Sequence, residues 1–149
     1  MKTTNTARAR YEGFGKTGKG HVSTNSGALD HPYGFNTRFE DAPGTNPEEL
    51  IAAAHAACFT MALSMQLAQA GYETGTLETE AKVTLEKQDE GFAVTRSDLT
   101  LTGRVDGIDQ AKFEELAEKA KVNCPISKLL NAEITLDTRF EVQSSPVAG

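Results

Sequence analysis

Cysteine is scarce in this 149-residue chain: only Cys58 and Cys124 occur. A lone, far-spaced pair is not the disulfide framework that staples small secreted domains. Positive charge is also in short supply. Fifteen Lys and Arg against 21 Asp and Glu leave a net charge of -6, which argues against an electrostatic footprint for nucleic acid. There is no long basic run, and no apolar segment reads as long enough to span a bilayer, so no membrane role is expected. The opening residues, MKTTNTARARYEG, contain no apolar stretch. No secretory signal is therefore expected, and the expected location is the cytoplasm. The chain shows no internal repeat, no domain linker and no C-x-x-C spacing. Its 38% apolar and 24% charged residues are ordinary for a globular protein. The expectation is one domain over residues 1–149, with 143–149 as a loose tail.

The first forty residues read as short strands separated by glycine turns: Arg8–Gly13, His21–Asn25 and Tyr33–Phe39. A long helix follows. Asn46 suits the N-cap, Pro47 falls at the first helical position, Glu49 completes a capping box and Gly71 is a natural stop. Between Ile51 and Leu63 only His55 and Thr60 are polar, so this helix is expected to be buried on nearly all sides. Leu77, Ala81, Val83 and Leu85 alternate with charged residues in one strand, and Phe92–Val105 returns as a second. The parity of Phe92 and Val94 differs from that of Leu99 and Leu101, which predicts a bulge between Thr95 and Asp98. Asp109–Val122 is an amphipathic helix, with Ile108 placed to staple onto Phe113. A break at Asn123-Cys124-Pro125 leads to a short helical turn over Ser127–Asn131. Glu133–Val142 is a last strand, with Ile134, Leu136, Phe140 and Val142 inward. Grouped strands around two helices give an α+β fold.

The chemistry-bearing residues are few. GFGKTGKG contains G-x-G-x-x-G, but HVST after it reads as a strand, so a hairpin turn is expected and not a phosphate cradle. His55 and Cys58 share a helix face at i, i+3. With Cys124 they supply three zinc-type ligands but no fourth, and a Cys–His nucleophile pair or plain core packing are further readings. Two thiols, one on a buried helix and one at a proline break where it is reachable, also fit a peroxidatic and resolving pair. Apolar burial raises a thiol's pKa, so a reactive Cys58 needs a cation aimed at it. Arg38, expected on a strand just before the helix, is the leading candidate because a guanidinium stays charged when desolvated.

PYGFNTRFE, GTNPEELIAAAHAACFTMALS, NCPIS and NAEITLD together resemble the OsmC/Ohr family, the osmotically inducible and organic hydroperoxide resistance proteins. HPYGFNTRFE and AHAACF lie nearer its OsmC branch, and the resemblance covers about residues 8 to 140. It implies an OsmC-like α+β fold with antiparallel strands around a long buried helix, in an intertwined homodimer. It implies a thiol-dependent peroxidase for organic hydroperoxides, and more weakly for hydrogen peroxide, in oxidative or osmotic stress defence. Cys58 matches the peroxidatic cysteine, Cys124 the resolving cysteine, Arg38 the arginine that stabilises the thiolate, and Glu48 the acid that orients that arginine. A lipoyl-type or other dithiol is the implied reductant, and neither a metal nor a cofactor is called for. Glu48 and Cys58 lie ten residues apart on one helix, about 15 Å along its axis. An antiparallel helix from a second subunit would therefore be a simple way to bring Glu48 to a thiol. Two rivals make different expectations: a redox sensor would react once, and a Cys58–His55 hydrolase would cleave esters without peroxide.

Overall fold

The first fifty residues build a small antiparallel sheet. β1 (Ala7–Glu12), β2 (Lys19–Thr24) and β3 (Asp30–Tyr33) lie in the order β1-β2-β3. In the computed structural model, which describes residues 1–142, this segment forms one of two compact units, Met1–Leu50 and Ile51–Gly149. The expected loose tail at 143–149 lies outside the described residues. The GFGKTGKG segment is the β1–β2 connection, as the glycine pattern suggests.

The segment Tyr33–Phe39 is not a strand throughout. β3 stops at Tyr33, and α1 (Phe35–Phe39) follows. The Thr37 hydroxyl closes the turn locally: it accepts from the Gly34 N–H at 2.8 Å and donates to the Gly34 carbonyl at 3.0 Å. Arg38 therefore projects from a helix and not from a strand. Gly44 then turns the chain at φ +139°, where a Cβ would lie 2.5 Å from the Pro32 carbonyl oxygen, so only glycine fits.

α2 (Pro47–Gln69) begins where the sequence places it. The Asn46 side chain accepts from the Glu49 N–H at 2.8 Å, the expected N-cap bond. The Glu49 carboxylate accepts instead from the Thr45 hydroxyl at 2.8 Å.

The second unit carries β4 (Gly75–Gln88), β5 (Gly91–Val105), α3 (Gln110–Asn123), α4 (Pro125–Leu129) and β6 (Glu133–Phe140). Its sheet has the order β4-β5-β6. β4 and β5 are antiparallel, but β6 runs parallel to β5, which corrects the expectation of purely antiparallel strands. The reason is the connection: α3 and α4 form a crossover long enough to return the chain in the same direction. The bulge falls at Thr95, because Thr84 pairs with Arg96 while Leu85 pairs with Val94. β6 stops at Phe140, and Val142 is exposed, not inward as expected. Its start is clamped to β5: Arg96 donates to Glu133 at 2.7 Å and to Asp98 at 2.8 Å, while the Thr135 hydroxyl donates to Asp98 at 2.6 Å.

The core of this unit joins Phe59 and Leu63 of α2, Leu99 and Leu101 of β5, and Phe113 and Leu116 of α3. Asp109 caps α3 by accepting from the Lys112 N–H at 2.7 Å. α2 is not buried on all sides. His55, Phe59, Leu63 and Leu67 form one covered stripe, while Ala54, Ala57, Met61 and Met65 stand on an open one, with Met61 68% and Met65 56% exposed. By length and hydropathy alone α2 could also cross a bilayer, contrary to the expectation that no segment could, although core helices of soluble proteins pass the same test.

Gly103 lies directly beneath Phe113: an added Cβ would sit 2.1 Å from Cζ of the ring. Gly103→Ala should cost about 1–3 kcal/mol through overpacking, and urea unfolding of the variant measures it.

Candidate active site

Cys58 is half-buried on α2, and Cys124 is fully buried at the junction of α3 and α4. This reverses the expected accessibility, in which the proline break exposes Cys124. The break instead redirects the backbone: Cys124 ends α3, with its N–H bonded to the Ala120 carbonyl at 2.9 Å, and Pro125 opens α4 at once. Tucked between two helix ends, its side chain faces the core. The two thiols are neighbours, Cys124 acting directly on the protonation of Cys58.

Burial pushes the Cys58 thiol above its ordinary pKa, and the neighbouring Cys124 thiol pushes the same way. The Ile126 N–H, in the first turn of α4, bonds to the sulfur and pulls it down, but the balance stays on the side of the neutral thiol. Among the described residues of the second unit, no cation is among the groups that shift Cys58. Left to these groups, the sulfur stays protonated at neutral pH and nucleophilicity is low.

His55, one turn before Cys58, is fully buried. Its Nδ1 lies 2.6 Å from the Ser97 hydroxyl on β5, and its Nε2 lies 2.8 Å from the Ser127 hydroxyl on α4. Burial lowers its pKa, so the ring is neutral and one serine accepts from it while the other donates to it. Both nitrogens being engaged, His55 is neither placed as a base for Cys58 nor free to ligate a metal. Among the described residues no three His, Cys, Asp or Glu side chains gather as a metal site. The sequence reading singled out His55 but not its partners. Ser97 shares the parity of Leu99 and Leu101, and a polar residue on a core-facing row is the signal that was there to be read.

In the first unit, Arg38 and Glu48 form a bidentate pair: Nε and Nη2 donate to the two carboxylate oxygens at 2.7 and 2.9 Å. The guanidinium also lies over the Phe39 ring, 5.5 Å from its centroid. A cavity of about 330 Å³ beside it is lined by Tyr11, Tyr33, Phe35, Phe39 and Pro47 among others. Arg38 and Glu48 are thus brought together, and so are Cys58 and Cys124.

A helix-borne thiol held against a second thiol at a helix junction, in an α+β scaffold, defines a dithiol protein. The family model described as OsmC-like protein matches residues 39–139, and the chain belongs to this OsmC/Ohr family. It is 56% identical over 135 residues to Peroxiredoxin OsmC of Escherichia coli, covering 90% of this chain and 94% of that protein. It is 34% identical over 127 residues to the organic hydroperoxide resistance protein OhrB of Bacillus subtilis, covering 83% of this chain and 89% of the relative. These identities put it nearer the OsmC branch. The crystal structure of B. subtilis OhrB matches with a TM-score of 0.65 at 30% identity, covering 91% of this chain and 98% of that one.

The neutral state of buried His55 has a consequence for stability. Below the ordinary histidine pKa of about 6.5, the unfolded chain takes up a proton that the folded ring resists, so the folded form loses stability as pH falls through that range. Urea unfolding at about pH 7.5 and 5.5 should show this loss, and His55→Gln should reduce its size.

Proposed function

We propose that the chain is a cysteine-based peroxidase that reduces organic hydroperoxides to alcohols, with Cys58 peroxidatic and Cys124 resolving. The observation that carries this reading is the neighbourhood of the two thiols: two free cysteines 66 positions apart in sequence meet in the fold. Family membership supports it, because the curated relatives are named peroxiredoxin and organic hydroperoxide resistance protein. The reactive species is the Cys58 thiolate. It attacks one peroxide oxygen, the O–O bond breaks, and the alkoxide leaves and takes up a proton as the alcohol, leaving a sulfenic acid on Cys58. The Cys124 thiolate then attacks the Cys58 sulfur. An S–S bond forms, the S–O bond breaks, and hydroxide leaves as water after protonation. An external dithiol, of lipoyl type or another, reduces the disulfide by exchange and is itself oxidised.

Arg38 supplies the charge the thiolate needs, with Glu48 fixing the plane of its guanidinium. The raised pKa of Cys58 supports this assignment, because its own unit gives the sulfur no cation. A second copy of the chain brings the pair to the thiol and makes the functional unit a homodimer. Two features favour that arrangement: the ten-residue separation of Glu48 and Cys58 on one helix, and the open apolar stripe through Met61 and Met65. The aromatic cavity beside Arg38 suits an organic substituent better than hydrogen peroxide. The two units together make one OsmC-like domain, since the family match runs across the boundary at Leu50. Free thiols suit the cytoplasm, where reductant is abundant.

With a dithiol present, the protein should consume excess cumene hydroperoxide over many turnovers, and Cys58→Ser should abolish this. Arg38→Ala should lower kcat/KM by about 100-fold, the scale for removing a preorganised charge stabiliser; an unchanged rate would remove Arg38 from the mechanism. Met61→Glu should shift the sedimentation coefficient from dimer to monomer and lower activity with it.

A further inference from the structure

Two helices meet at the thiol pair, and they meet twice. On α2, His55 and Cys58 stand at i, i+3. On the other side, Cys124 opens α4 and Ser127 stands three residues on. Cys58 touches Cys124, and His55 Nε2 is 2.8 Å from Ser127 Oγ. The contacts pair 58 with 124 and 55 with 127, so the two turns run past each other in opposite directions, joined by two rungs. One rung is the thiol pair, which changes with oxidation. The other is a hydrogen bond between groups that take no part in the redox cycle. Its inner end is pinned: the opposite nitrogen of His55 is 2.6 Å from Ser97, a fully buried residue on the central strand β5.

Resting on the peroxidase reading above, we propose that the Ser97–His55–Ser127 chain is a positioning device for the resolving step: it holds α4 against α2 so that Cys124 stays in line with the Cys58 sulfur.

The physical need for such a device follows from the step itself. Attack of one sulfur on another requires Cα atoms within roughly 7 Å and a narrow range of torsions. α4 is only five residues long and holds no buried residue. A helix of one turn contributes little stability of its own, so its seat depends on side-chain anchors. When Cys58 becomes a sulfenic acid, the thiol–thiol contact is lost in its original form. The imidazole–hydroxyl rung is then what keeps the geometry until the disulfide closes. The first chemical step depends on α4 far less, because peroxide comes from solvent, Cys58 sits on the long helix, and α4 lends its sulfur only the Ile126 backbone N–H, which burial and Cys124 already outweigh. Loss of the rung should therefore separate the two steps: normal oxidation of Cys58, slow closure, and a longer-lived sulfenic acid open to a second peroxide.

Ser127→Ala removes the outer rung and leaves the buried His55–Ser97 bond in place. Ser127→Thr keeps a hydroxyl. Single-turnover reactions with cumene hydroperoxide separate the steps, using dimedone trapping of sulfenic acid and intact mass of disulfide and sulfinic species. Expected for Ser127→Ala is a Cys58 oxidation rate within about twofold of wild type. Disulfide formation should be slowed by about tenfold to 100-fold, on the scale that a misplacement near 1 Å costs a reaction, with more sulfinic acid at equal peroxide. Ser127→Thr should restore closure. His55→Asn, whose amide can still reach Ser97 but not Ser127, should behave like Ser127→Ala. Unchanged closure in Ser127→Ala overturns the proposal, and so does an equal slowing of both steps. If the wild-type chain itself forms no disulfide with peroxide, the thiol mechanism fails and the proposal falls with it. A wild type that closes normally while Ser127→Ala does the same sinks the positioning role alone.

Discussion

A sulfur that has to be negative sits where its own surroundings keep it neutral. Burial and a second thiol both favour the protonated form of Cys58, and one backbone N–H is too little to reverse them. Much else in the chain bears on this conflict. The Arg38 guanidinium, which the proposed mechanism assigns to that charge, is held in one plane by two hydrogen bonds to Glu48.

α2 carries both sides of the arrangement. One stripe builds the core through Phe59, Leu63 and Leu67, and Cys58 lies beside it. The opposite stripe is alanine and methionine, small and adaptable residues that let another backbone come close. The high alanine content thus serves two purposes: it favours the helix, and it leaves a surface without bulk.

Much of this was legible beforehand. The start of α2 was read from Asn46 and Pro47, α3 from Asp109 and its apolar stripe, and the bulge from a parity change in Phe92–Leu101. These are local signals, and local physics writes them. What failed was non-local. The direction of β6 depends on how the α3–α4 crossover returns, which no periodicity within Glu133–Phe140 records. The open face of α2 reads as buried helix because an apolar pattern reports which residues shun water, not which of them the fold covers. Arg38 reads as a strand residue within Tyr33–Phe39, whereas the Thr37 side chain decides for a turn of helix. The pairing of the cysteines and of Arg38 with Glu48 was anticipated, the former against the expectation that Cys124 is exposed. The serine partners of His55 were not, since hydroxyls 42 and 72 residues away leave no mark near it.

The clamp on β6 carries a last implication. Arg96, Asp98, Glu133 and Thr135 fasten the chain immediately after α4, and α3 fastens it immediately before Cys124. The segment bearing the second sulfur is thereby tied down at both ends in the reduced protein. On the proposed mechanism, closing the large covalent ring then asks for adjustment of the short α4 alone, and not of the elements that flank it. On that reading the second unit passes between its dithiol and disulfide forms as a hinge pin slides in and out of a closed hinge, with its sheet undisturbed on every pass.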